Sequence, residues 1–113
     1  MKYLIRKRNL SLYERDNLLV HYIREHKGKA NIVSAKEISN YLKANGYNVK
    51  ARYVNTVIVK LMYERSLPIC SLNSKGYFWG ANRAEIEEAI KHLQSRCVEI
   101  TKHIEHLQSF ILN

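Results

Sequence analysis

Apolar side chains recur every three or four residues in the segment that follows Lys50, which is the spacing of one face of a helix. The recurring residues are Val54, Val57, Ile58, Leu61 and Met62. The opposite arc carries Arg52, Thr56, Val59 and Tyr63, flanked by Tyr53, Asn55 and Lys60. This pattern predicts a helix that docks on a core with its apolar face and leaves a basic, polar face free for another molecule.

The residues after this helix predict a tight β-hairpin. Pro68 stops helix propagation, and the run Leu67–Leu72 has the composition of a short strand. Turn-forming residues follow at Asn73–Gly76, and Tyr77–Trp79 predicts a second short strand. The sequence therefore predicts a helix, a strand, a tight turn and a strand, in that order.

Two earlier helices are predicted from capping patterns and apolar spacing. Ser11 and Glu14 have the Ser-x-x-Glu spacing of a capping box, and Ser34 and Glu37 repeat it. The first helix is predicted at 11–26 and the second at 34–44, with a short strand at 30–33 between them. The core-facing residues are predicted to be Leu12, Leu19, Tyr22 and Ile23 in the first helix and Ile38, Tyr41 and Leu42 in the second.

The start of the third helix differs from the other predicted helix starts, which all place an acid in the first turn. Asn48 is the predicted cap, and Lys50 and Arg52 occupy the first turn in place of an acid. Exposed cations there oppose the helix dipole by about 0.3–1 kcal/mol each. A bound anion would reverse that cost, because free N–H groups, dipole and cations would then act together. The pattern favours an anion-binding helix end.

The C-terminal segment, predicted as a helix over 82–113, carries a regular heptad repeat. Asn82 and Glu85 form its predicted cap pair. The a positions are Ile90, Cys97, Ile104 and Ile111, and the d positions are Ile86, Leu93, Ile100 and Leu107. A small domain cannot cover a helix about 45 Å long at 1.5 Å per residue. The repeat therefore predicts self-association through this helix, and it leaves parallel and antiparallel pairing open.

The balance of charge also changes near residue 80, where the predicted C-terminal helix begins. The chain has 113 residues and a formal net charge of +9. Residues 1–80 hold 15 Lys and Arg against 5 Asp and Glu, whereas residues 81–113 hold 4 against 5. The first region therefore carries +10 and favours an anionic partner, nucleic acid first. Residues 1–10 form a predicted basic arm whose cationic half could follow phosphates.

Catalysis, metal binding and membrane insertion are not predicted. The sequence has no Walker loop, no Gly-rich dinucleotide motif and no Cys-His cluster, so we expect neither an enzyme nor a cofactor. Cys70 and Cys97 lack metal-ligand spacing and are expected to be reduced core thiols. No apolar run approaches the roughly 18 residues of a membrane span, and the N-terminus does not resemble a signal peptide. A cytoplasmic protein is expected.

The residues of the third helix, hairpin and fourth helix carry a resemblance to a known family. They are Val54-x-x-Val57-Ile58-x-x-Leu61, Leu67-Pro68-Ile69-Cys70-Ser71, Ser74-Lys75-Gly76-Tyr77-Phe78-Trp79 and Ile90-x-x-Leu93-x-Ser95-Arg96. The chain resembles winged helix-turn-helix DNA-binding proteins over residues 11–113, and more closely the small phage- and prophage-encoded members from Gram-positive bacteria. This resemblance implies a mainly α, α+β fold, with a winged-helix domain at 11–80 and a C-terminal dimerisation helix at 82–113. It also implies that the third helix enters the major groove and that the wing at Asn73–Gly76 lies near the DNA backbone or the minor groove.

The implied function is sequence-specific binding of double-stranded DNA by a homodimer, as a phage-type transcriptional or replication regulator in the cytoplasm of a bacterial host. Arg52, Asn55 and Thr56 are expected to contact base edges, since Arg suits guanine and Asn suits adenine. The remaining predicted DNA contacts are Lys36, Lys50, Lys60 and Lys75 to phosphates, with Tyr53 beside them. The alternative is a protein-interaction module of the same fold that binds and inhibits an acidic host replication or transcription protein.

Overall fold

The structure, a computed structural model, describes residues 2–72 and 75–112, without the side chains of residues 2–11. It is mainly helical with a small two-stranded antiparallel sheet, which confirms the predicted mainly α, α+β class. The elements are α1 (Lys2–Glu25), a 3₁₀ turn (Lys29–Asn31), α2 (Ala35–Ala44), α3 (Ala51–Arg65), β1 (Ile69–Ser71), β2 (Tyr77–Trp79) and α4 (Arg83–Gln108). We call the part formed by α1, α2, α3 and the two strands the globular part.

The first helix is longer than its sequence pattern predicts. It begins at Lys2, so the predicted start at Ser11 is wrong and residue 11 lies inside the helix. The backbone of the predicted basic arm is therefore helical and continuous with α1. Leu12 is also not a core residue, because 49% of it is exposed, whereas Leu19, Val20 and Ile23 are buried.

The second helix begins as predicted. Ser34 is the N-cap of α2, its Oγ accepts from the Glu37 N–H at 3.1 Å, and the Glu37 carboxylate accepts in return from the Ser34 N–H. This reciprocal pair satisfies N–H groups that the first turn would otherwise leave without a partner. Ile38 and Leu42 are buried and Tyr41 is half-buried, as their spacing predicted.

The two strands pair in a register that gives the hairpin two apolar faces. Ile69 pairs with Trp79, Cys70 with Phe78 and Ser71 with Tyr77. The chain between α1 and α2 lies along the other edge of β2, because Val33 and Tyr77 exchange two backbone hydrogen bonds of 2.8 and 2.9 Å. A 3₁₀ turn occupies the first half of the predicted strand at 30–33, and within that segment only Val33 makes a strand-like bridge.

The hydrophobic core lies on both sides of the hairpin. One cluster joins the three helices of the globular part to Val33 and Ile69, and its most buried side chains include Ile23, Ile38 and Ile58. The second cluster joins the opposite face of the hairpin to α4, and it consists of Cys70, Leu72, Phe78 and Ala89. The hairpin is therefore held between the helices of the globular part and the first half of α4.

Hydrogen bonds from Glu85 fix the start of α4 against the globular part. Asn82 accepts from the Glu85 N–H at 3.0 Å, as the predicted cap pair requires. The Glu85 carboxylate accepts from the backbone N–H groups of Lys29 and Ala81, both at 2.9 Å. These bonds, the Lys29 bond first, hold the pKa of Glu85 below its usual value. Lys29 also pairs with Glu88 at 2.7 Å, so one turn of the globular part holds two α4 carboxylates.

Replacing Glu85 by alanine is expected to lower the thermal midpoint at pH 7, because two backbone donors lose their acceptor. A carboxylate with a lowered pKa contributes stability above its unfolded-state pKa of about 4.3, and that stability is lost as pH falls through the folded value. The difference in midpoint from the parent should therefore shrink towards pH 3.

The matched control is Glu87→Ala, which removes only an exposed pair with Arg83 on the same helix. It should change the midpoint less at pH 7. Equal midpoints for the two variants at pH 7, or a Glu85→Ala deficit that persists unchanged at pH 3, would contradict the anchoring role.

Candidate nucleic-acid interface

The N-terminus of α3 is open to solvent and has no acidic residue in its first turn. Its N-cap is Lys50, which makes no side-chain cap bond, so the prediction that Asn48 caps the helix is wrong. The connection from α2 is fixed just before it, because the Ser39 hydroxyl donates to the Val49 carbonyl at 2.5 Å. The N–H groups of Ala51 and Arg52 therefore lie at an exposed helix end beside the Lys50 and Arg52 side chains, whereas the Tyr53 N–H donates to the Lys50 carbonyl.

The outer face of α3 is exposed as its sequence pattern predicted. Val54, Ile58 and Leu61 are buried on the inner face. On the outer face, the Arg52 guanidinium carbon lies 4.8 Å from the centroid of the Tyr53 ring. This contact is a cation–π pair that stabilises an extended Arg52 side chain near the helix N-terminus.

Asn55 is oriented by a residue of the hairpin. The Tyr77 hydroxyl donates to the Asn55 Oδ1 at 2.8 Å, across 22 positions of sequence. Burial raises the pKa of Tyr77, so its hydroxyl is a neutral donor at physiological pH. The bond places the amide oxygen towards Tyr77, so the Asn55 amide nitrogen is left as the group that points away from the hairpin.

Lys60 has an acidic neighbour, Glu64, which the sequence analysis did not assign to the site. Its Nζ lies 3.9 Å from the Glu64 Oε1, and both side chains are largely exposed. An exposed pair one helical turn apart is worth about 0.3–0.5 kcal/mol. Lys60 therefore remains able to exchange this partner for a phosphate.

All eight predicted DNA contacts are exposed: Lys36, Lys50, Arg52, Tyr53, Asn55, Thr56, Lys60 and Lys75. Six of them lie on α3 or at its N-cap, Lys36 lies in the first turn of α2, and Lys75 lies in the turn between the strands. The other two residues of that turn, Asn73 and Ser74, lie outside the described residues. Among the described side chains, Lys36, Lys50, Arg52 and Lys75 form no ion pair.

The predicted dimer residues are all exposed in the single chain. The exposed fraction rises from 37% at Ile86 to 79% at Ile111, and Cys97 is exposed too, so it is not the core thiol that was expected. The regular helix ends at Gln108, and Ile111 lies in the turn that follows. We call this surface the seam: Ile86, Ile90, Leu93, Cys97, Ile100, Ile104, Leu107 and Ile111.

A groove of about 280 Å³ lies between α3, the hairpin and α4. Its walls are mostly apolar and include Ile58, Met62, Ala89 and Leu93, with Arg96 at one side. Leu93 belongs both to this groove and to the seam. The groove therefore adjoins the seam at Leu93. Its walls also carry the polar side chains of Asn55, Ser71, Tyr77 and Arg96.

Three features of this region were absent from the sequence-based prediction: the Tyr77–Asn55 bond, the Ser39–Val49 bond and the groove. Each depends on chain folding back over ten or more residues, and no local spacing signals such a contact. The described residues contain no group of three or more His, Cys, Asp or Glu that could hold a metal ion. None of the described helices combines the length and the apolarity that crossing a bilayer requires.

Comparisons of the sequence with family models, with curated proteins and with solved structures found no match.

Proposed function

We propose that this chain is a winged helix-turn-helix protein that binds double-stranded DNA as a homodimer, with α3 as its recognition helix. The observation that carries the proposal is the exposed, uncapped and acid-free N-terminus of α3 with Lys50 and Arg52 beside it. Phosphate is the common biological anion that such a helix end suits, and base edges lie next to phosphates in the major groove.

The arrangement of the elements supports the winged-helix part of the proposal. A compact α2–α3 pair is followed by a hairpin, and β2 is flanked by β1 on one side and by Val33 on the other. This order of helices and strands is the one expected for the family that the sequence resembles. The turn between the strands, with Lys75 exposed, would be the wing and would lie near the DNA backbone.

Each predicted contact has a defined role in this proposal. Arg52 would reach guanine, whose two acceptors match the guanidinium, while Asn55 and Thr56 would contact neighbouring bases. Lysines at positions 36, 50, 60 and 75 would hold the phosphates, and the α4 seam would join two copies. The resulting protein would act in the cytoplasm of a bacterial host as a phage-type transcriptional or replication regulator.

The test is selection of bound sequences from a random duplex pool, followed by affinity measurements over a range of salt concentrations. A DNA-binding dimer should enrich one sequence, and its affinity should fall steeply with salt as counterions are released. Failure to enrich any sequence, together with no retention on duplex DNA at low salt, would overturn the proposal.

Arg52→Ala and Lys60→Ala should weaken DNA binding in different ways. Arg52→Ala should cost about 1–3 kcal/mol on the selected site and should relax discrimination at one base pair. Lys60→Ala should weaken all duplexes alike and reduce the slope of affinity against salt.

Both variants should keep the parent's thermal midpoint, since neither side chain reaches the core. Lys91→Ala is the matched control, because Lys91 is an exposed lysine on α4. If Arg52→Ala and Lys60→Ala bind the selected site as tightly as this control, the face of α3 is wrongly assigned.

One observation favours the alternative, a module that binds and inhibits an acidic host protein. Val59 and Tyr63 lie on α3 beyond the polar residues, and 39% and 82% of them are exposed. Exposed apolar side chains beside cations suit a protein partner as well as DNA. Retention on duplex DNA that does not depend on salt or sequence, or no retention at all, would favour this alternative.

A further inference from the structure

We propose, building on the homodimer proposed above, that the two α4 helices pair in opposite directions and that each copy inserts Phe110 into the apolar groove of the other. The groove would then have one occupant, a side chain from a second copy of this chain. The inference joins two surfaces that a single copy leaves uncovered, the groove and the C-terminal end of the seam.

The seam residues match one another in antiparallel order. Antiparallel pairing places each a residue against a d residue of the partner. The two-fold axis of this register passes midway between Cys97 and Ile100. No seam residue is left over in this register. Each of four pairs occurs twice, once on either side of the axis: Ile86 with Ile111, Ile90 with Leu107, Leu93 with Ile104, and Cys97 with Ile100.

The residues after the end of the regular helix continue its helical course, as this register requires. The regular helix ends at Gln108, but the Phe110 N–H donates to the Leu107 carbonyl at 3.1 Å and the Leu112 N–H donates to the Gln108 carbonyl at 3.0 Å. The Phe110 ring lies edge-on to the His106 ring, with centroids 5.2 Å apart. Phe110 is therefore held on the helix, and 72% of it is exposed.

The residues that flank the seam distinguish the two directions of pairing. Ala89, Arg96 and Phe110 each lie one position before an a residue, and Ala89 and Arg96 line the groove. In the antiparallel register Ala89 lies beside the partner's Phe110, whereas parallel pairing would place Gln94 there. Ala89 lines the groove with a small side chain, which leaves room there for an apolar ring, whereas a polar amide does not suit the apolar wall.

The groove has the size and the lining for that ring. It measures about 280 Å³ and is walled by Ile58, Met62 and Leu93 around Ala89. A cavity of about 150 Å³ lined by apolar side chains holds a benzene ring. The groove therefore accommodates a phenyl group together with the neighbouring side chains of the partner helix.

The position at which the globular part packs on α4 also favours antiparallel pairing of the two α4 helices. α4 packs on its own globular part in its first half, where Ala89 is buried, while every residue from Leu93 to Leu112 is exposed. Antiparallel pairing lays the bare half of one copy along the globular part of the other. Parallel pairing would place both globular parts at one level and leave Phe110 without cover.

Distances between spin labels in the full-length protein test the direction. Labels are placed at Ala84→Cys or at Lys102→Cys in a Cys97→Ser background, with Cys70 left buried. At 1.5 Å per residue, antiparallel pairing separates the two Ala84 positions by about 44 Å along the coil and the two Lys102 positions by only about 10 Å. Parallel pairing gives two short distances of similar size.

A long Ala84 distance with a short Lys102 distance is expected. Two similar short distances would overturn the antiparallel inference and leave the proposed dimer standing. A protein that sediments as a monomer and shows no dipolar coupling at either site would overturn the dimer, and the inference with it.

Phe110→Ala tests the groove separately. It should raise the dimer dissociation constant roughly tenfold, because one large apolar contact is lost at each end of the dimer. Leu112→Ala is the matched control, since 76% of Leu112 is exposed but its position turns away from the seam. A dissociation constant that Phe110→Ala changes no more than this control would overturn the insertion of Phe110.

Discussion

Replacing Ile100 and Ile104 together by aspartate is expected to make the protein monomeric while its globular part stays folded. Both residues lie in the middle of the seam and are about half exposed in the single chain. In the dimer they would be buried, and a buried charge without a partner costs about 3–5 kcal/mol. Sedimentation equilibrium should therefore report a single chain, while circular dichroism should show an almost unchanged thermal transition for the globular part.

The control for this variant introduces two aspartates on another face of the same helix. Val98 is as exposed as the seam residues, at 55%, but lies well away from the seam, and Lys102 is also exposed. Val98→Asp with Lys102→Asp should leave the dimer intact. A seam variant that stays dimeric, or whose globular part unfolds, would show that the heptad residues are not a subunit interface.

The same seam variant separates dimerisation from DNA binding. A single recognition helix makes few base contacts, so affinity for a selected site should fall sharply in the monomer. Weak binding to any duplex should persist and remain sensitive to salt, because residues 1–80 retain a balance of +10. Equal affinity of the monomer and the dimer for the selected site would contradict the proposed role of α4.

Gly76→Ala is expected to lower the free energy of unfolding by about 3 kcal/mol or more, which chemical unfolding measures directly. Gly76 has φ +137°, a conformation that side-chain-bearing residues rarely adopt, and a Cβ atom there would overlap the Val33 carbonyl. That carbonyl accepts the Tyr77 N–H, so the variant must break the bridge between β2 and the connection into α2.

Gly46→Ala is the matched control for strain alone. Gly46 also has a positive φ, +91°, but nothing lies within 4 Å of the position that its Cβ would take. It should lose only about 1–2 kcal/mol, the cost of placing a residue with a side chain in the left-handed region. Equal losses for the two variants would show that the contact with Val33 does not matter.

Local patterns predicted the elements whose ends carry their own signals. The Ser34–Glu37 capping box begins α2, and three aromatic residues directly after a turn-forming segment form β2, because in both cases the signal lies within a few residues of sequence. The start of α1 was predicted wrongly because a local signal can also mislead. Ser11 has the chemistry of a cap, but no proline or glycine precedes it, and serine inside a helix costs only a few tenths of a kcal/mol.

The site divides in the same way between local and long-range features. Exposure of Arg52, Thr56 and Lys60 follows from helix periodicity, so the sequence was sufficient to predict it. The orientation of Asn55 depends on the hairpin returning to α3, which brings Tyr77 to it from 22 positions away. The periodicity of a single element does not predict a contact between two elements. The groove could not be predicted for the same reason, because its walls come from α3, the hairpin and α4.

The position of Ala89 along α4 has a consequence for the length of the DNA site that the proposed dimer would bind. Ala89 is where α4 packs on the globular part, and it lies nine to ten residues from the two-fold axis inferred for the dimer. At 1.5 Å per residue the two globular parts would lie about 28 Å apart along the coil. Successive major grooves on one face of B-DNA recur every 34–36 Å, or about 10 base pairs. In the proposed DNA-binding dimer, the length of α4 between Ala89 and the two-fold axis would therefore set the spacing of the two half-sites, although α4 itself would not contact the DNA.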